Sequence, residues 1–440
     1  MSYKIHLISL VVFILYSACS SSPHRPYLTQ ALEAEKYLQT AMLEEPAGLA
    51  WKVMPDSLNS GSDVSLYSGS PGVVLFYLEL YHSTGDEAYL QTAEKGADFL
   101  LASIPDTIAS VNTVGLYTGL AGIGYTLGEV SKTSSSPKYR DGVRQVLELF
   151  RGQAQRNEDG INWGPITDIV YGASGIGLFQ LYAVEDLELK VDGQEVAQIA
   201  DWLITQATVE ADGLRWKMQP GMNIHMDNFS HGTAGVAYFL ARTYELTKDY
   251  RYLDAALNAG RWLASHTNDD GFVSHHLPGG EDLYYQSWCH GPAGTSRLYY
   301  LLYQLTDEDE WMQLIEKGAE GTMALKLDQN QTTGYWNNVS KCCGDAGVAE
   351  HYLWLYELTG NQQYLDYAKT MTQKLMKLST KGTFGRKWVQ AENRRSPEQV
   401  AAQSGLMQGS AGMGLWLLQL DAFESGKKPH VQLPDKPKLQ

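Results

Sequence analysis

The sequence predicts an all-α fold, an α/α toroid in which seven helical hairpins close into a double ring. Three observations carry that prediction. A GxxG pattern recurs seven times, as GSPG at Gly69, GLAG at Gly119, GASG at Gly172, GTAG at Gly232, GPAG at Gly291, GDAG at Gly344 and GSAG at Gly409. A strongly apolar stretch follows each copy, as in VVLFYLELYHSTG from Val73 and VAEHYLWLYELTG from Val348, and reads as a buried helix. Most of these then meet a turn and an amphipathic stretch, such as DEAYLQTAEKGADFL around Tyr89 or DYRYLDAALNAGRWL around Tyr252. Its apolar residues recur at i, i+3, i+4 and i+7, the pattern of a helix lying outside with one face inward.

Successive copies are 50, 53, 60, 59, 53 and 65 residues apart, too far for the common solenoid repeats and right for a long hairpin plus a loop. A single pair of helices cannot bury itself, so the copies must stack, and closing the stack removes its exposed ends. The glycines come first for packing, since they permit backbone approaches that a Cβ would block. Trp51, Trp163, Trp216, Trp336 and Trp388 each follow a glycine closely, in stretches that suggest loops or short strands at one end of the ring.

Taken from the N-terminus, residues 1–18 carry one cation, Lys4, and an apolar run over residues 7–15 that is too short to cross a bilayer. This is the pattern of an export signal. It ends in Tyr-Ser-Ala before Cys19, with serines following, which makes Cys19 the candidate for lipidation; ordinary cleavage nearby is the alternative. The expected product is an exported lipoprotein tethered to the membrane through its N-terminal lipid and facing the periplasm or the cell exterior. The toroid is expected over residues 28–425, and residues 426–440, which lack any apolar period, as an extended tail. No feature sets an oligomeric state.

With 44% apolar and 19% charged residues the chain can build a large core and has no reason to be disordered. Lys and Arg number 34 against 50 Asp and Glu, and the net charge of -16 repels phosphate backbones, which argues against a nucleic-acid partner.

Residues just before each GxxG should converge if the turns share one rim, and there the chemistry concentrates. Cys289, Cys342 and Cys343, the cysteines other than Cys19, occupy equivalent places in the fifth and sixth repeats. Three is an odd number: one disulfide would strand a thiol, whereas a metal could use them all. Zinc suits such a set, taking three protein ligands and leaving its fourth position open. A vicinal Cys342–Cys343 disulfide, a bridge from Cys289, and plain buried thiols are the alternatives. His290 is either a fourth ligand, which would close the site, or a neighbouring acid/base group.

The motifs SWCHGPAG from Ser287, KCCGDAG from Lys341, FSHGTAG from Phe229 and DIVYGASG from Asp168, set on seven GxxG repeats, make the sequence resemble the lanthionine synthetase C-like (LanC-like) family over the whole chain after the signal. The resemblance implies a zinc ion held by Cys289 and by a Cys-His pair that here has become Cys342 and Cys343, a three-cysteine version that the family also contains. It implies that Asp168 and His231 hold the positions of the catalytic carboxylate and imidazole. By themselves these residues could equally be a loop cap and a satisfied buried histidine. The family commonly has Arg four residues before the fifth-repeat cysteine; this chain has Tyr285.

The activity implied is activation of a thiol and its addition to the β-carbon of dehydroalanine or dehydrobutyrine in a peptide, giving a thioether such as lanthionine. The substrate is then a peptide or a small thiol. Two other classes stay open. A glycan-active α/α toroid, a hydrolase or lyase, would need paired carboxylates or Tyr/His acid/base groups and no clustered cysteines. A non-catalytic lipoprotein that binds zinc and a thiol or peptide would use the same ligands, and only turnover separates it from the enzyme.

Overall fold

In the computed structural model, which describes residues 25–191 and 193–439, every GxxG copy opens a helix. The signal segment 1–18 and Cys19 lie outside the described residues. Around the ring run α1 (Pro26–Thr40), α2 (Ser70–Thr84), α3 (Glu87–Ala102), α4 (Leu120–Ser131), α5 (Lys138–Gln153), α6 (Ala173–Glu185), α7 (Gly193–Thr205), α8 (Thr233–Thr247), α9 (Tyr250–Ser265), α10 (Pro292–Thr306), α11 (Asp309–Ala324), α12 (Asp345–Thr359), α13 (Gln362–Lys377) and α14 (Ser410–Glu424). The even-numbered helices form the inner ring, and the first glycine of each GxxG is the N-cap of one of them. They are buried along most of their length, as their apolar sequences require, whereas the odd-numbered helices bury one face.

Each inner helix packs on the outer helix that follows it, from α2 on α3 to α12 on α13. The seventh pair is different: α14 takes as its outer partner α1, the first helix of the described chain. Closure therefore joins the two ends of the chain, and Arg25 Nε reaches Asp421 Oδ2 of α14 at 3.1 Å across that seam.

Short antiparallel hairpins follow four of the outer helices: β1 (Met42–Glu45) with β2 (Gly48–Trp51), β3 (Gln155–Asn157) with β4 (Gly160–Asn162), β5 (Thr208–Glu210) with β6 (Gly213–Arg215), and β7 (Ser379–Gly382) with β8 (Gly385–Ala391), to which β9 (Val400–Ala402) adds. Three of the tryptophans noted in the sequence tie these hairpins down. Indole N–H groups of Trp163, Trp216 and Trp388 donate to the carbonyls of Phe150, Leu203 and Leu375 at 2.9, 2.7 and 2.9 Å. Those carbonyls lie in the last turns of α5, α7 and α13, where a helix leaves acceptors without intrahelical partners.

The rim has its own girdle. The residue two places before each GxxG passes a backbone hydrogen bond to its counterpart in a neighbouring repeat. Tyr67 N–H donates to Tyr117 C=O at 2.8 Å, Tyr117 to Val170 at 3.1 Å, Ser230 to Cys289 at 3.0 Å, Cys289 to Cys342 at 3.0 Å, Cys342 to Met407 at 3.1 Å and Met407 back to Tyr67 at 2.9 Å. Among the described residues only the step between Val170 and Ser230 lacks this bond.

Both glycines of a GxxG serve that approach. A Cβ on Gly119 would stand 1.8 Å from the Thr113 carbonyl oxygen, and one on Gly412 1.8 Å from that of Leu406. Gly412→Ala should therefore destabilise the fold by about 2 kcal/mol or more in denaturant unfolding, because backbone rather than a flexible side chain must yield. Gly61→Ala, where nothing lies within 4 Å, is the control and should be near neutral.

Residues 426–439 contain no helix or strand, yet they are not free: they enter the bore at the end where the inner helices finish, and Asp435 is fully buried there. Beside them on α12 is His351, whose pKa burial pulls down to about 3. A histidine held neutral in the folded state and free to protonate near pH 6.5 when unfolded adds stability above that pH, and the contribution is lost as the pH falls toward 3. His351→Leu should accordingly lose less stability than the wild type between pH 7 and pH 5, by about 2 kcal/mol from the linkage, read from melting curves at the two pH values.

Candidate metal centre

The girdle decides where the cysteines stand. Because Cys289 N–H bonds Cys342 C=O, the loops before α10 and α12 lie side by side and their thiols meet. Cys289 Sγ is 3.1 Å from Cys343 Sγ, which is 3.3 Å from Cys342 Sγ, and all three lie within 4.8 Å of one another. All are free and buried, so neither the vicinal disulfide nor a bridge from Cys289 is present.

Their electrostatics are unequal. Thiol hydrogen bonds from Cys289 and Cys343, helped by the Tyr67 hydroxyl, hold Cys342 well below the ordinary cysteine range. Burial pushes Cys289 up, and the hydrogen bonds from Cys289 and Cys342 push Cys343 up. The cluster by itself thus stabilises one thiolate and opposes a second. Three sulfur donors in contact ionise together only around a cation, and a dication with a preference for thiolate is the group they fit.

Asp168 and His231 meet where the girdle is open. Asp168 lies two residues before Val170 and His231 directly after Ser230, and His231 Nδ1 stands 2.7 Å from Asp168 Oδ2. The other carboxylate oxygen accepts the Tyr171 N–H at 2.7 Å, so the fully buried Asp168 is fixed at both ends. A side-chain pair occupies the one step that a girdle bond does not bridge.

His290 falls outside the sulfur group, which comprises the three cysteines alone among the described residues. Its ring stacks on His275 at 4.0 Å, with Nδ1 buried and unpaired, and burial holds its pKa well below the usual histidine range. It is a neutral imidazole whose ring centre is 5.7 Å from that of His231.

A cavity of about 610 Å³ opens above the sulfurs, walled by Tyr67, His231, His275, Tyr285, Trp336 and Arg394. Three of these escaped sequence reasoning. Tyr67 is the girdle residue of the first repeat, and its hydroxyl accepts a hydrogen bond from Gln408 Nε2 at 2.8 Å. His275 comes from the long segment between α9 and α10, and burial lowers its pKa to about 3. Arg394 comes from the loop between β8 and β9, and its charge acts on Tyr285. Where the fifth repeat carries Tyr285 in place of an arginine, a guanidinium arrives from another repeat. The 65-residue spacing before the last GxxG, the longest of the series, was the available signal for an inserted loop.

The chain is thus a seven-fold α/α toroid with three thiols and a carboxylate–imidazole pair at one mouth. Comparison with known proteins makes it specific. The model of the family "Lanthionine synthetase C-like protein" matches residues 61–433, and the chain belongs to that family. It is 24% identical over 303 residues to the nisin biosynthesis protein NisC of Lactococcus lactis subsp. lactis, spanning 60% of this chain and 69% of that protein. The solved structure of nisin cyclase superposes with a TM-score of 0.59 at 19% identity, covering 85% of this chain and 91% of that one. The Lin0763 protein from Listeria innocua shares the fold at a TM-score of 0.52 and 14% identity, over 91% and 99% of the two chains.

Metal analysis checks the centre directly. The purified chain should carry about one zinc per molecule, and Cys289→Ala should lose it; full retention of metal by that variant would rule out these ligands.

Proposed function

We propose that this chain is a zinc-dependent enzyme that adds a thiol to dehydroalanine or dehydrobutyrine in a peptide, forming a thioether. The observation that carries the reading is three free, buried sulfurs on the floor of an open cavity with the Asp168–His231 pair on its wall. Membership of the lanthionine synthetase C-like family supports it. Zinc held by Cys289, Cys342 and Cys343 would supply one thing, the ionisation near neutral pH of a thiol that enters the cavity.

The remaining work falls to side chains. Asp168 holds His231 by Nδ1, which leaves Nε2 as the atom that exchanges protons with the cavity. As the thiol sulfur bonds the β-carbon, the electron pair of the Cα=Cβ bond moves toward the adjacent carbonyl. The proton given up by the thiol balances the one required at the α-carbon, so Nε2 can accept the first and deliver the second. Replacing an imidazole ligand by Cys343 adds donor charge and should make the attacking sulfur more nucleophilic. Arg394, at the cavity edge beside Tyr285, is placed to orient a peptide carbonyl or carboxylate.

With the export signal and Cys19, the same reading puts the enzyme outside the cytoplasm on a lipid tether, acting on a peptide or small thiol there. The test is turnover of a dehydroalanine peptide with a free thiol. His231→Gln should keep its zinc and lose roughly 10²- to 10⁴-fold in kcat, the usual worth of a positioned acid/base group, with Asp168→Asn also impaired. Zinc uptake and thiol binding without turnover in the wild type would show a binding protein instead.

A further inference from the structure

The bore of the ring holds an extended peptide, and that peptide is the chain's own C-terminus. Inner-helix side chains address its main chain. The Glu79 carboxylate accepts the N–H groups of His430 and Val431 at 3.1 and 2.7 Å, and the Tyr125 hydroxyl donates to Gln432 C=O at 2.8 Å. Arg297 Nη1 donates to Asp435 C=O at 3.0 Å and Gln304 Nε2 to Lys438 C=O at 3.0 Å. Contacts of this kind give a groove affinity for an extended strand, while pockets for particular side chains add selectivity.

The selective side chain is Asp435. Its Oδ2 accepts from Trp288 Nε1 at 2.9 Å and from the Tyr117 hydroxyl at 3.0 Å, and faces Arg297 Nη1 at 3.1 Å. Trp288 immediately precedes Cys289. Tyr117 C=O receives the Tyr67 N–H, and the Tyr67 hydroxyl faces Cys342. Next to Asp435, the half-buried Lys436 faces Glu350, which pairs with Lys341, the residue before Cys342. Only about 30 Å³ of space separates tail and floor, room for about one water. Both cysteine-bearing loops therefore stand on the tail.

We propose that residues 430–439 are a built-in peptide ligand of the bore, and that Asp435 is a positioning residue that holds the floor under Cys289 and Cys342 and so couples tail docking to metal affinity. The coupling half rests on the zinc reading above. Linkage makes it reciprocal: what tightens the tail tightens the metal, and the reverse.

The experiment compares the full chain with one ending at Gly426, with and without a labelled peptide of residues 427–440 in trans. Zinc affinity is read by chelator competition and peptide binding by fluorescence anisotropy. Truncation should weaken zinc binding about five-fold or more. The peptide should bind the truncated chain, raise its Tm and restore the affinity, and a peptide carrying Asp435→Asn should restore less. In the full chain, Asp435→Asn should weaken zinc binding and shift the visible bands of the cobalt-loaded protein, whereas Lys427→Ala, at an exposed residue ahead of the docked segment, should do neither. The full-chain variants decide the matter if the truncated chain does not fold. Unchanged zinc affinity and cobalt spectrum in Asp435→Asn overturn the positioning role, and failure of the peptide to bind a folded truncated chain overturns the ligand. If the wild type takes up no zinc, it is the metal reading that fails, and peptide binding with its Tm shift still decides whether the tail is a separable ligand.

Discussion

The girdle of backbone hydrogen bonds at the rim is the constraint on which the rest depends. It links residues two before each GxxG, so it fixes at once how the repeats are spaced and which side chains face the centre. Its geometry requires the loop to fold tightly over the start of its own helix, and the glycines make that possible. The girdle bond is what brings together cysteines separated by more than fifty residues in sequence. Their loops are held by a main-chain bond, so the side chains are left free for chemistry.

The missing step between Val170 and Ser230 gives the site its second half. Adjacent repeats there are joined by the Thr167 N–H on Met218 C=O at 2.9 Å and, beside it, by the contact of Asp168 with His231. The contact that orients the imidazole also helps to hold these two repeats together. Asp168 is buried because it closes a seam, and that burial gives the imidazole a fixed carboxylate beside it.

Legibility in the sequence follows from register. Everything tied to the GxxG period was visible: seven inner helices, amphipathic outer ones, and Cys289, Cys342, Cys343 and His231 at equivalent places. What lay off the period was hidden. His275 and Arg394 sit on loops whose courses depend on neighbouring repeats, and no local pattern tells where such a loop will land. Helix α1 carries no GxxG, and its role as the partner of α14 is set by closure of the ring. The tail carries no helix or strand, as an extended segment would, but its course was hidden: it is docked through main-chain and charge contacts with Glu79, Arg297 and Glu350, residues that in sequence are only polar interruptions in apolar helices.

Charge balance explains why these departures belong together. A dication among three ionised sulfurs leaves one net negative charge, where two sulfurs and an imidazole leave none, and an entering thiol adds another on losing its proton. Buried charge of that sign needs compensation. Below the sulfurs the cations Arg297, Lys341 and Lys436 face the carboxylates Asp435 and Glu350, so the floor carries one more cation than anion. Above them Tyr285 cannot contribute a positive charge, His290 and His275 are held neutral by burial, and the guanidinium of Arg394 shares the cavity wall with the Glu392 carboxylate. Cysteine at 343 therefore bears on one charge balance: the extra anion that a third sulfur would bring to a bound dication lies between a floor with a surplus cation and a cavity wall that carries both Arg394 and Glu392.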